Sequence, residues 1–321
     1  MRILCATDLL PKSEAAIERA GLLANQLNAN LTLLHVVSAE KSQQDLEQTL
    51  QDAVARTRSR AKPLLWRSNR AAEVGVRVGN PAKVILETAA ALRPDLLVLG
   101  PHRKRPLRDV LEGTIAERAL ATRSHPVLVV RDEARRPYRR VMLALDMSDA
   151  SASAIRAAEA LVLPPEVSTV VVHAHYPPYR DMLNFADVGK TSIARYLAEW
   201  KREATCAVRN LLQIESDDAE RYHIHIEQKH AAPGIAQSIE RFSPDLLVMG
   251  THGGGVLRRA LIGSVANRVL HETRCDALIV PDGSFGVSRS KLLPGLQEPA
   301  TRTGRSHVDA GPRAHSRVSG W

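Results

Sequence analysis

The chain repeats itself, which restricts it to folds that can be built twice from a unit of about half its length. Pro94-Asp95-Leu96-Leu97-Val98-Leu99-Gly100 returns as Pro244-Asp245-Leu246-Leu247-Val248-Met249-Gly250, an offset of 150 residues. Gly113-Thr114-Ile115-Ala116 recurs at the same offset as Gly263-Ser264-Val265-Ala266. An amphipathic stretch follows each, then Pro126-Val127-Leu128-Val129-Val130 or Asp276-Ala277-Leu278-Ile279-Val280. The starts match at a smaller offset: Ile3-Leu4-Cys5-Ala6-Thr7-Asp8 resembles Val141-Met142-Leu143-Ala144-Leu145-Asp146, 138 residues on. The second copy therefore carries about a dozen extra residues, expected between Pro177 and Asp218. The repeats set domains at 1–134 and 138–282. The stretch 284–321, rich in Ser, Arg, Gly and Pro without a sustained period, is predicted to be a disordered tail.

Each copy alternates short apolar, β-branched runs with longer helical patterns. That is the signature of buried parallel strands with helices on both faces. In the second copy the pattern predicts strands at 140–145, 169–174, 222–228, 245–249 and 276–280, and helices at 149–162, 189–214, 233–242 and 264–273. The expected architecture is α/β: two tandem doubly wound domains.

Composition narrows the function. Apolar residues make up 44% of the 321 but aromatics only 3%, so the cores are aliphatic and any reading that needs the stacking platforms of single-strand nucleic-acid binders is weakened. The net charge of +9 gathers in local clusters such as Arg103-Lys104-Arg105 and Arg135-Arg136 with Arg139-Arg140, with no nucleic-acid-binding motif beside them, and reads as solvated charge. No apolar run is long enough to span a membrane, and Met1-Arg2-Ile3-Leu4-Cys5-Ala6 leads straight into a strand rather than a signal peptide. Cys5, Cys206 and Cys275 are far apart and odd in number, which argues against a disulfide framework and for a reducing cytoplasm.

In an open parallel sheet, ligands bind beyond the carboxyl ends of the strands where strand order reverses. Asp146 is predicted at the end of the first strand of the second copy and Gly250-Thr251-His252-Gly253 at the end of the fourth, with Gly263-Ser264 opening a helix ten positions after Gly253. Glycines allow close backbone approach, and the helix start offers unpaired N–H groups, a hydroxyl and the positive end of the dipole, all suited to an anionic, phosphate-bearing ligand. Arg258 and Arg259 add positive potential, and Asp146 can accept from a sugar hydroxyl or a base amine. Taken singly, each feature also has an ordinary reading as a loop glycine or a helix cap.

Gly250, Gly253, Gly263 and Ser264, spaced Gly-x2-Gly-x9-Gly-Ser, resemble the nucleotide-binding signature of the universal stress protein family. The likeness extends over both halves, about residues 1–282, and includes Leu145-Asp146-Met147-Ser148 and His35-Val36 after the second strand. The resemblance implies a Rossmann-like fold with a five-stranded parallel sheet per domain, and pairing of domains through their fifth strands as an internal pseudo-dimer. It implies ATP as ligand, with a divalent metal such as Mg2+ shared by phosphate oxygens. Asp146 would contact the adenosine end and Ala174 would offer backbone hydrogen bonds to adenine. Met249 and Gly250 would line the ribose and phosphate approach, and Gly253, Gly263, Ser264 and Val265 would hold the triphosphate. An unidentified protein partner and a homodimer of whole chains also belong to that expectation.

The first copy departs from the pattern. It reads Gly100-Pro101-His102-Arg103, so Arg103 stands in place of the second glycine, and loss of ATP binding there is expected although Asp8 and Gly113 survive. Lys229 stands where the first copy has Gly79, which puts the local turn in question. Gly189-Lys190-Thr191 lacks the earlier glycine and preceding strand of a phosphate-binding P-loop. His173-Ala174-His175 and His223-Ile224-His225 lack the further ligands zinc needs and are expected to satisfy local hydrogen bonds. No catalytic residue is assigned; His252 and Asp146 are the only local candidates for a general base. A regulatory ATP-binding protein, a slow ATPase or nucleotidyl-transfer enzyme, and a nucleotide-free docking scaffold all remain open.

Overall fold

The computed structural model describes residues 1–38, 43–62, 72–101, 114–134, 136–162, 167–185, 189–215, 221–251 and 263–283. The first repeat runs β1 (Arg2–Thr7), α1 (Pro11–Gln26), β2 (Asn30–Val37), α2 (Gln43–Ala61), β3 (Glu73–Val78), α3 (Pro81–Leu92), β4 (Leu96–Leu99), α4 (Ile115–Ala121), β5 (Val127–Val129). The second runs β6 (Arg140–Ala144), α5 (Asp149–Leu161), β7 (Ser168–Ala174), α6 (Arg180–Phe185), α7 (Lys190–Glu215), β8 (Tyr222–Glu227), α8 (Ala231–Phe242), β9 (Leu246–Gly250), α9 (Ser264–Glu272), β10 (Asp276–Val280). The doubly wound expectation holds in both halves.

The ten strands among the described residues belong to one sheet, ordered β3-β2-β1-β4-β5-β10-β9-β6-β7-β8. Pairing within each repeat is parallel; β5 and β10 meet antiparallel. Their register pairs Ala277 with Val129, Leu278 with Leu128 and Ile279 with Val127. Leu128 and Leu278 are the same position of the repeat, so a pseudo-twofold axis passes through that pair. The fifth strands thus join the halves into one body.

Successive strand residues point to opposite faces, and both faces are covered. Leu278 and Val280 pack with α1, α2, α5 and α7, whereas Ala277 and Ile279 pack with α3, α4, α8 and α9. Fully buried strands of this kind carry continuous aliphatic runs rather than alternation, which is why Leu96-Leu97-Val98-Leu99 and Leu246-Leu247-Val248-Met249 stand out in the sequence.

The polar contacts across the junction do not follow the pseudo-symmetry. Asp276 is fully buried at the start of β10; its Oδ1 accepts from the Arg131 and Asp132 amides at 2.7 and 3.1 Å, and its Oδ2 from the Tyr138 hydroxyl at 2.6 Å. Arg19 of α1 reaches Asp276 Oδ2 at 3.5 Å and stacks 3.9 Å over the Tyr138 ring. The symmetry mates of Asp276 and Arg19 are Pro126 and Ala157, which can form no such cluster. Burial, and then the neighbouring Asp276 carboxylate, push the Tyr138 phenol well above its ordinary pKa.

The structure shifts some predicted boundaries. β6 stops at Ala144 because the next residues turn to build the crevice described below. α8 starts at Ala231, two residues before the prediction, because Pro233 lies in the first turn, where its missing N–H costs nothing. The extra residues of the second repeat include α6, which was not foreseen. Gly79 has φ +145°, a backbone that Lys229 does not adopt; the Lys229 amide instead bonds Glu227 O at 2.9 Å, so the local turn does differ.

Candidate functional site

Within each repeat the strand order reverses between the first and fourth strands, which opens a crevice beyond their carboxyl ends. In the second repeat Ala144 pairs with Met249, so Gly250 ends β9 one residue later and Asp146 follows β6 two residues later, on either side of that crevice.

Asp146 is positioned by its own turn. The Leu145 amide donates to Val172 O at 3.0 Å, and Met147 then takes a left-handed φ of 64°. Asp146 Oδ1 accepts from the Ser148 amide at 3.2 Å, the Ser148 hydroxyl at 2.5 Å and the Ser151 hydroxyl at 2.7 Å. Ser148 in turn caps α5 by accepting from the Ser151 amide at 3.2 Å. One carboxylate oxygen therefore builds the turn. The other has no partner among the described residues, and the side chain is exposed. Asp8 repeats the arrangement, with Oδ1 accepting from Leu10 N and Ser13 Oγ and with Leu9 at φ 57°.

Ala174 ends β7, beyond the end of its neighbour β6. Val172 O points towards β6, and the backbone of a strand repeats its direction every second residue, so the N–H and C=O of Ala174 face the same way. With β6 finished, they look into the space beside Asp146 and meet no partner among the described residues. His173 faces the other way along the backbone, and its imidazole Nδ1–H donates to Leu145 O at 2.8 Å, tying the two strand ends together. His35, inside β2 rather than after it, does the same to Thr7 O at 2.9 Å. His175 stacks between His173 and Trp200 at centroid distances of 5.5 and 5.0 Å, and His225 bonds Glu227 at 3.2 Å. His173 and His225 thus make local hydrogen bonds and His175 stacks locally, and among the described residues no group of three or more His, Cys, Asp or Glu converges.

Gly250 is required for packing. A Cβ there would lie 2.6 Å from Ala150 Cβ and 2.8 Å from Ala150 C, so the start of α5 fills the space. The Met249 side chain is buried in the core, which leaves its main chain as all it can offer a ligand. Burial also pushes the Cys5 thiol up to about 12 and the Cys275 thiol up to about 11, so neither is a thiolate near neutral pH.

The helix start is brought to the end of β9 by Thr251. Its amide donates to Val280 O at 3.0 Å and its carbonyl accepts from the Gly263 amide at 2.9 Å. α9 then begins with Gly263 at the N-cap and no side-chain cap; its first helical bond is Asn267 N to Gly263 O, 2.9 Å. The amides of Ser264, Val265 and Ala266 thus have no acceptor among the described residues. Ser264 is exposed, the first helical residue rather than the cap. Gly253, His252, Arg258 and Arg259 lie outside the described residues, as do Arg103 and Gly113.

The first repeat closes the same place. Thr114 caps α4 by accepting from the Glu117 amide at 3.1 Å, and the Glu117 carboxylate accepts from the Thr114 amide at 2.5 Å, a reciprocal capping box. Pro101, the counterpart of Thr251, has no amide to donate. Desolvation acts to raise the Glu117 pKa, but the bonds from Thr114 and His271 outweigh it and hold the carboxyl below its usual value. Sequence reasoning passed over this box, although Thr114-Ile115-Ala116-Glu117 carries its Thr-x-x-Glu signature.

A tandem doubly wound protein with a reversal-point crevice in each half is thereby defined. The universal stress protein family model matches residues 1–131 and again 137–281, and the chain belongs to that family, with two such domains in tandem. A universal stress protein of Methanocaldococcus jannaschii is 27% identical over 143 residues, 44% of this chain and 82% of that protein. A universal stress protein of Thermus aquaticus is 31% identical over 146 residues, 44% of this chain and 98% of that one. The crystal structure of a universal stress protein from Archaeoglobus fulgidus superposes with a TM-score of 0.62 at 15% identity, over 88% of this chain and 98% of that chain. That likeness is one of fold.

Proposed function

We propose that the second repeat binds ATP and that its occupancy regulates how the protein engages a partner during stress adaptation. The observation that supports this reading is the uncapped start of α9, tethered through Thr251 to the end of β9 beside the crevice. Open amides at the positive end of a helix dipole are suited to phosphate oxygens. The unpaired main chain of Ala174 and the outward oxygen of Asp146 are suited to a base and a ribose. Gly250, Gly253, Gly263, Ser264 and Val265 would lie along the phosphates, with Met249 contributing main chain only. A divalent cation such as Mg2+ fits this donor set only through the triphosphate, taking phosphate oxygens and water as ligands.

The first repeat is read as nucleotide-free, its helix start occupied by Thr114 and Glu117. Regulation is favoured over catalysis because one Asp146 oxygen is already committed to three donors within its own turn. Three unpaired cysteines suit a reducing cytoplasm, and among the described residues no helix is long and apolar enough to cross a membrane. Since both fifth strands are used internally, any homodimer would form through other surfaces.

The test is nucleotide content after gentle purification, followed by calorimetric titration with ATP and Mg2+. About one ATP per chain, lost in Gly263→Arg, is the expected result. An absence of nucleotide together with no measurable affinity would return the chain to a docking scaffold, and steady phosphate release would make it an enzyme.

A further inference from the structure

The far end of α9 is held by the other repeat. The Arg131 guanidinium, just past β5, donates to Leu270 O at 2.5 Å and to Cys275 O at 3.4 Å. Leu270 lies in the last turn of α9, where carbonyls lack intrahelical partners and a cation complements the dipole. One residue along, His271 Nε2 meets Glu117 Oε1 of α4 at 2.9 Å. The symmetry mates of Arg131, Glu117 and His271 are Pro281, Asn267 and Ala121, so neither contact has a pseudo-symmetric copy.

This matters because α9 is only nine residues long and has no side-chain cap at its start. Helices of that length are marginal alone and depend on what packs against them. The end that faces the crevice has to stay open to serve a ligand, so the anchoring falls to the other end. We propose that the first repeat acts as a brace: Arg131, supported by the Glu117–His271 pair, is a positioning residue that holds α9 with its amides aimed at the nucleotide phosphates. The proposal rests on the ATP reading above and assigns a role in binding to the domain that has lost its own site. By linkage, ATP bound at the start of α9 tightens the junction between the repeats by the same factor.

The experiment uses the full chain and compares wild type, Arg131→Met, Arg131→Lys and His271→Gln. ATP affinity is read by calorimetry, and the amide resonances of Ser264 and Val265 by 1H–15N spectroscopy without ligand. The expected loss for Arg131→Met is about three- to tenfold in affinity, with both amide signals displaced, and Arg131→Lys recovers part of it because the charge is kept. His271→Gln, at a half-exposed position, shows a smaller loss and decides the matter if Arg131→Met does not fold. Wild-type affinity in folded Arg131→Met, or in His271→Gln where that is the deciding variant, overturns the brace and leaves the ATP reading standing. A wild-type chain that binds no ATP overturns both.

Discussion

The two repeats share a turn and differ at a helix. Asp8 and Asp146 build the same left-handed corner after the first strand, down to the serine five residues on that bonds the carboxylate. At α4 Thr114 and Glu117 cap one another's amides, whereas at α9 the equivalent side chains, Ser264 and Asn267, form no such box and the amides of Ser264, Val265 and Ala266 have no acceptor among the described residues. A folded domain has no need of uncapped amides, and capping is worth about 1 kcal/mol. In the function proposed above, the start of α9 forgoes a side-chain cap because a ligand is bound there.

That comparison can be broken in several places. The largest effect concerns the one-sided junction: Arg19→Met removes a buried partner of Asp276 and should cost about 3 kcal/mol in urea unfolding. A cost near zero would mean that Tyr138 and the two amides alone satisfy the carboxylate. Next comes Gly263→Arg, which fills the open helix start and should weaken ATP binding by about 100-fold or more, with Gly113→Arg without effect. Equal losses from the two would show that both repeats bind.

Smaller is the contrast between caps. Thr114→Ala should destabilise the protein by about 1 kcal/mol, while Ser264→Ala should leave thermal stability nearly unchanged and act on ATP affinity instead. The reverse pattern would contradict the division of labour. The smallest effect is a pH dependence. Because folding lowers the Glu117 pKa, its contribution is present above the unfolded carboxyl value of about 4.3 and is lost as pH falls through the folded value. Stability curves of wild type and Glu117→Gln should therefore separate near neutrality and converge in acid; parallel curves would refute a stabilising role.

Much of this was legible in the sequence because strands buried on both faces announce themselves as aliphatic runs, and the repeat doubled each signal. The Asp146 corner and the start of α9 were readable from spacing. Other features depended on tertiary neighbours. Gly250 read as room for a ligand, but its missing Cβ makes room for Ala150, 100 positions away in sequence. Asp276 and Arg19, 257 positions apart, gave only faint local hints: a carboxylate opening an apolar strand, and an arginine on the buried stripe of α1. The grip on Leu270 was out of reach, since nothing near Arg131 in sequence indicates a carbonyl 139 residues away.

Leu128 facing Leu278 has one more consequence. In an assembly of two identical chains every amino-acid change is made twice, so a carboxylate introduced at one end of the shared ladder appears at the other as well. Covalent fusion lifts that constraint, and here one end carries Asp276 where the other keeps Pro126. It also makes the association intramolecular, so the halves stay together at any dilution. One half is then free to specialise as support because the other can never be found without it.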